Sequence, residues 1–80
     1  SLNSSYKATI TLKTLNEKFS SGDVIDINSL KEKGIISSTC RRFKVVNSGN
    51  LDKSLKIIGE ATLSARTVIE SHGGSLEGVS

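Results

Sequence analysis

Residues 41–56 hold Arg41, Arg42, Lys44, Asp52, Lys53 and Lys56, a local net charge of +4. The other sixty-four residues carry six cations and seven anions, so the whole basic excess of a chain with formal net charge +3 lies in this one segment. A cationic stretch in an otherwise slightly acidic chain is the electrostatic footprint of a surface that contacts a polyanion. Arg41 and Arg42 offer planar guanidinium forks that suit phosphate oxygens, and the three lysines add point charges. The competing reading is a solvated segment whose cations simply face water.

Other chemistry has less to work with. A Ser–His–Asp arrangement needs a base held against a nucleophile, and the only histidine, His72, falls in the last turn of the best helical stripe. There an imidazole interacts favourably with the unpaired carbonyls of the helix end. Asp23 and Asp26 are close in sequence but flank a strand start and read as turn and cap residues. No Gly-rich phosphate cradle is present, and Gly73-Gly74 reads as a helix stop. Cys40 borders Arg41 and Arg42, and such an isolated thiol is read as structural or incidental. One Cys excludes an internal disulfide and a cysteine-rich zinc site, and one His beside it argues against any intramolecular metal cluster.

The elements that must position these residues are small. Eighty residues make one domain at most, and a chain of this size buries only about 60% of its unfolded surface. Its core must be aliphatic, since Ile and Leu supply sixteen residues and there are two Phe, one Tyr and no Trp. No aromatic cage or row of stacking rings is available. No apolar run approaches the ~20 residues of a membrane span, and no charged stretch precedes an apolar one, so neither a span nor a signal peptide is expected. The first residue is Ser, which fits a processed or truncated polypeptide.

Residues 1–6 read as the end of a joining segment and residues 7–79 as a single globular domain. Ala8, Ile10 and Leu12 alternate with polar residues, a half-buried strand. Leu12, Leu15 and Phe19 then form a helical stripe of about two turns that stops at Ser20-Ser21-Gly22. Val24, Ile25 and Ile27 are a brief extended stretch. Asn28 is a candidate cap for a short helix over 29–33, with Gly34 at the left-handed position beyond it and Ile35 folding back on Leu30. After a polar connector at 37–40, Phe43 and Val45 alternate with Lys44 and Val46 in a second strand. Residues 47–50 are turn chemistry, and Leu55, Ile57 and Gly59 define a third strand. If the second and third strands pair as a hairpin, Lys44 and Lys56 share one outward face.

The strongest helix signal follows. Ala61, Ala65, Val68, Ile69 and His72 fall on one continuous stripe, Thr62 is the N-cap, and Gly73 ends the helix. Residues 75–79 are a short final extended piece. Extended segment, helix and glycine stop recur three times, as a rhythm without sequence repeat. The fold class is α/β, with short strands and one well-formed C-terminal helix.

Several strings resemble one family. They are Asp26-Ile27-Asn28-Ser29-Leu30-Lys31 with Gly34-Ile35-Ile36, then Phe43-Lys44-Val45-Val46 with Gly49 and Leu51, then Ser64-Ala65-Arg66 with Ile69-Glu70 and Gly73-Gly74. In this order and at nearly this spacing they are similar to bacterial-type large-subunit ribosomal protein number fifteen, over residues 7–77. The Ala65-Arg66-x-x-Ile69-Glu70-x-x-Gly73-Gly74 ending is the most specific piece. The resemblance implies a small irregular β-β-α arrangement and the C-terminal globular part of a protein that binds large-subunit ribosomal RNA. Two departures matter. The family's long N-terminal arm, rich in Gly, Arg and Lys, is not in this chain. Residues 58–63 also lack the basic residues usual in the family, leaving Arg66 as the match there.

The expected function is therefore a structural constituent of the large ribosomal subunit that supports its assembly, catalyses no reaction and takes no cofactor. RNA phosphates would meet Arg41, Arg42, Lys44, Lys53, Lys56 and Arg66. The expected partners are large-subunit ribosomal RNA and neighbouring ribosomal proteins, with no membrane and no small-molecule substrate. The expected location is a bacterial cytoplasmic ribosome, with an organellar ribosome as the other possibility. The alternative is a surface module that docks proteins and touches little RNA. An enzyme fragment ranks below both for want of a nucleophile, base or metal set.

Overall fold

In the computed structural model, which describes residues 7–78, six short strands alternate between two sheets. β1 (Lys7–Thr11) leads into α1 (Leu12–Lys18), β2 (Val24–Ile25) and α2 (Ile27–Glu32). Then come β3 (Arg42–Val46), β4 (Lys56–Ile58), β5 (Glu60–Ala61), α3 (Leu63–Ser71) and β6 (Ser75–Glu77). The odd strands form one sheet in the order β1-β3-β5 and the even strands a second in the order β2-β4-β6. Every strand pair is parallel. The chain thus winds three times, laying one strand into each sheet on every winding, in the manner of a very short β-solenoid. This mixed architecture is the expected small α/β fold with a C-terminal helix.

The alternation of side chains along each strand supplies the interior. Ile10, Phe43 and Val45 of the first sheet and Ile25 and Ile57 of the second are all buried. They merge with Leu12, Leu15 and Phe19 of the α1 region, Leu30 of α2, and Ala65 and Ile69 of α3 into one core. Leu51 and Leu55 enter from the connector between β3 and β4. No polar or charged side chain among the described residues is buried in it, so the core is held by apolar burial alone.

Local signals decide the helix boundaries. Thr11 caps α1 by accepting from the Thr14 N–H at 3.2 Å, and Thr62 does the same for α3 at the Ala65 N–H. At the other ends Gly34 and Gly73 take φ of 72° and 83°. The Ile35 N–H reaches the Leu30 carbonyl, and the Gly74 N–H reaches that of Ile69, each at 3.0 Å. These bonds belong to the Schellman stop, and they place Ile35 back on Leu30 as expected.

Three expectations need correction. Asp26, not Asn28, caps α2: its Oδ1 accepts from the Ser29 N–H at 2.8 Å. The helix therefore starts earlier, and Ile27, read as extended, is its first residue. Second, Gly59 is not part of a long third strand but the corner at which the chain leaves β4 for β5, and Ala61 belongs to β5 rather than to the helix. Third, residues 41–56 are not a hairpin. β3 pairs with β1 and β5, and β4 pairs with β2 and β6. Turn-forming residues 47–50 instead make a loop that lies on the start of α1, where the Lys13 N–H donates to the Ser48 carbonyl at 3.1 Å. A Cβ at Gly49 would collide with the Cβ of Lys13. The joining segment 1–6 and Val79 lie outside the described residues.

Candidate nucleic-acid interface

Because β3 and β4 belong to different sheets, the cations of residues 41–56 do not gather on one surface. In β3, buried Phe43 and Val45 alternate with Arg42, Lys44 and Val46, which form the outward row. Arg42 is exposed and its Nη1 lies 3.8 Å from Glu60 Oε2, a long surface pair. Lys44 stands in register with Glu60 on one side and Thr9 on the other. Exposed Arg41 immediately precedes the strand. Among the described residues, Arg41 and Lys44 form no ion pair.

The remaining candidates are placed elsewhere. The Lys53 ammonium is turned inward and donates to the carbonyls of Asn16 and Phe19 at 2.5 and 2.7 Å. These carbonyls sit at the end of α1, so Lys53 closes that helix, as cations at helix C-termini do. Lys56 is on the outward row of β4, with its Nζ 3.4 Å from Glu77 Oε2 of β6. Arg66 pairs with Glu70 one turn along α3, Nε to Oε2 at 3.1 Å. Exposed pairs of this kind contribute only about 0.3–0.5 kcal/mol and exchange readily for other partners. Arg42 and Lys44 therefore share the outward row of β3, with Arg41 just before it, while Lys53, Lys56 and Arg66 lie on other elements.

The arginines also border a groove that no stretch of the sequence announces. It has a volume of about 170 Å³ and lies between Asp26-Ile27, Arg41-Arg42-Phe43 and Ile58-Gly59-Glu60. These three segments are distant in the chain, and no local pattern links them. Ile27 and Ile58 are half-buried and give the groove an apolar lining, and Asp26, Arg41, Arg42 and Glu60 are among its other lining residues.

The residues that suggested catalysis are used structurally. His72 is the C-cap of α3, and its Nδ1 donates to the Val68 carbonyl at 3.0 Å. Asp23 accepts from the Ser20 N–H and Asp26 from the Ser29 N–H. Cys40 is buried. No helix among the described residues is long and apolar enough to cross a membrane.

A parallel two-sheet winding with an outward basic row on a central strand is thus what this sequence builds. The family described as ribosomal proteins 50S-L15 and 50S-L18e, with their 60S counterpart, matches residues 9–77. The large ribosomal subunit protein uL15 of Tolumonas auensis is 42% identical over 57 residues, 70% of this chain and 40% of that protein. The uL15 protein of Vibrio parahaemolyticus is 43% identical over 58 residues, 71% of this chain and 40% of its own length. That of Syntrophotalea carbinolica is 35% identical over 78 residues, 96% of this chain and 53% of its own length. The chain belongs to this ribosomal protein family. It spans about half or less of the length of these curated relatives.

Proposed function

We propose that the chain is a structural constituent of the large ribosomal subunit, binding its RNA through phosphate contacts and supporting assembly, without catalysing a reaction. The observation that carries this is the outward pair Arg42 and Lys44 on β3, with exposed Arg41 just before the strand, beside a family match over nearly the whole chain. A strand face with outward cations meets a backbone and its shape rather than a base sequence, which is how structured RNA is mostly recognised. On this reading the domain works on the ribosome in the cytoplasm, with ribosomal RNA and adjacent ribosomal proteins as its partners.

Filter binding to large-subunit RNA at several salt concentrations tests it. Each phosphate neutralised releases counterions, so replacing Arg41, Arg42 and Lys44 together by Ala should lower affinity and flatten the log–log salt slope by up to about three units. The loss should be similar across RNA sequences, because phosphates carry no base identity. An unchanged slope would remove this row from the RNA contacts.

A second reading has an observation of its own. Arg42, Lys56 and Arg66 face carboxylates and Lys53 is turned inward, as in a domain that mainly docks other proteins. It expects intact RNA affinity in the triple variant and a loss of particle assembly instead.

A further inference from the structure

The groove between Asp26-Ile27, Arg41-Arg42 and Ile58-Glu60 combines features that a phosphate row alone does not need. Its volume, about 170 Å³, is below the ~300–1,000 Å³ of pockets for drug-sized ligands, and suits a single ring system. Ile27 and Ile58 offer half-buried apolar surface, the complement of a base face. Arg41 and Arg42 stand at its edge, and Arg41 forms no ion pair among the described residues. Asp26 uses Oδ1 to cap α2, and its Oδ2 has no partner among the described residues. A carboxylate is an acceptor only, so it favours a ring that presents an amino group.

We propose that this groove takes one unpaired RNA nucleotide, with its phosphate on Arg41 and Arg42, its base over Ile27 and Ile58, and an exocyclic amino group donating to Asp26. The proposal rests on the RNA-contact reading and deepens it. Unstacked bases of loops and bulges, with their edges free, are the part of RNA that a protein can read in detail. Guanine, adenine and cytosine carry the exocyclic amino group, whereas uracil offers only its ring N3–H as a donor, so the groove should take uracil less well. A nucleotide supplies an anion and an amino donor together, which matches Arg41 and Arg42 beside Asp26 in one groove.

The test is an NMR titration of the isotope-labelled 80-residue chain with a short single-stranded RNA rich in guanine, its uracil-substituted counterpart, and a duplex of equal phosphate content. The amides of Ile27, Gly59 and Glu60 should shift with the guanine-rich strand, which should bind about threefold or more tighter than the uracil-rich one. Asp26→Asn keeps a side-chain oxygen for the α2 cap and should erase that preference while binding persists. If the duplex binds equally well and the groove amides stay still, with the salt slope still sensitive to the triple replacement, the groove proposal falls and the phosphate row stands. If neither RNA binds, both fall. If an acidic peptide moves the same amides at equal concentration as strongly as the guanine-rich strand, the groove belongs to a protein partner and the nucleotide proposal is overturned.

Discussion

Phe43 presses the tip of its ring against the backbone of Gly59: a Cβ at Gly59 would lie 2.5 Å from Phe43 Cζ and 2.9 Å from both Cε atoms. The contact ties the central strand of one sheet to the corner where the chain crosses from the other. Gly59 also donates its N–H to the Glu77 carbonyl at 2.9 Å, so this corner cannot retreat without loosening β6. Glycine at such a position answers a close approach. Gly59→Ala should therefore destabilise by about 1–3 kcal/mol, the range for overpacking a filled interior. A urea titration measures it, and a variant as stable as the parent would show that the corner yields freely.

The three glycines at the helix ends should separate two kinds of cost. Gly34 and Gly73 have positive φ and room for a methyl group, since nothing lies within 4 Å of a Cβ at Gly34 and only Ser54 Oγ, at 3.5 Å, near one at Gly73. Alanine at either should cost about 1–2 kcal/mol through the backbone alone. Gly74 has no such φ, but its Cβ would run into the Leu55 carbonyl oxygen and lie 3.0 Å from that of Ile69. Gly74→Ala should cost more than either, and equal melting losses for all three would refute the distinction.

Lys53 should behave as a structural residue. Lys53→Met keeps most of the stem and removes the bonds to Asn16 and Phe19, so it should cost about 1–2 kcal/mol in chemical denaturation. The salt slope of RNA binding should stay where it is, in contrast to the Arg41, Arg42 and Lys44 replacement. A drop in slope of about one unit would put Lys53 among the phosphate contacts.

Ile69 is fully buried under α3, while Val68 beside it is half-buried and only partly packed on the core. Ile69→Ala should destabilise by about 2–5 kcal/mol. Val68→Ala should cost clearly less, because fewer of its methyl contacts are enclosed. Thermal melts of the two variants check the order, and near-equal losses would overturn it.

Much of this molecule was legible as a line of residues, for a reason the elements themselves make plain. The stripes Leu12-Leu15-Phe19 and Ala65-Ile69, the alternation at Phe43 and Val45, the Thr62 cap and the glycine stops at 34 and 73 all act over a few residues. Their physics is local: a side chain meets the amide three residues on, or the backbone must turn left-handed to close a helix. The cap of α2 went to Asp26 rather than Asn28 within the same short range, as either side chain can accept an amide and only the observed start of the helix separates them.

The partners of the strands are another matter. Residues 47–50 carry turn chemistry that serves equally for a hairpin or for a loop laid on α1, and nothing local distinguishes the two. β3 found its neighbours in β1 and β5, with Lys44 between Thr9 and Glu60. Parallel pairing joins residues far apart in the chain, and it is stabilised by burying Ile10, Val45 and Ile57 in one core rather than by any turn. The amino-acid sequence alone thus determined where most helices start and stop, which residues are apolar and that the basic excess is concentrated. Only the tertiary structure decided that Arg42 and Lys44 face outward from a central strand, that Lys53 closes α1, and that Lys56 faces outward from the other sheet, because those positions follow from long-range packing of the three windings.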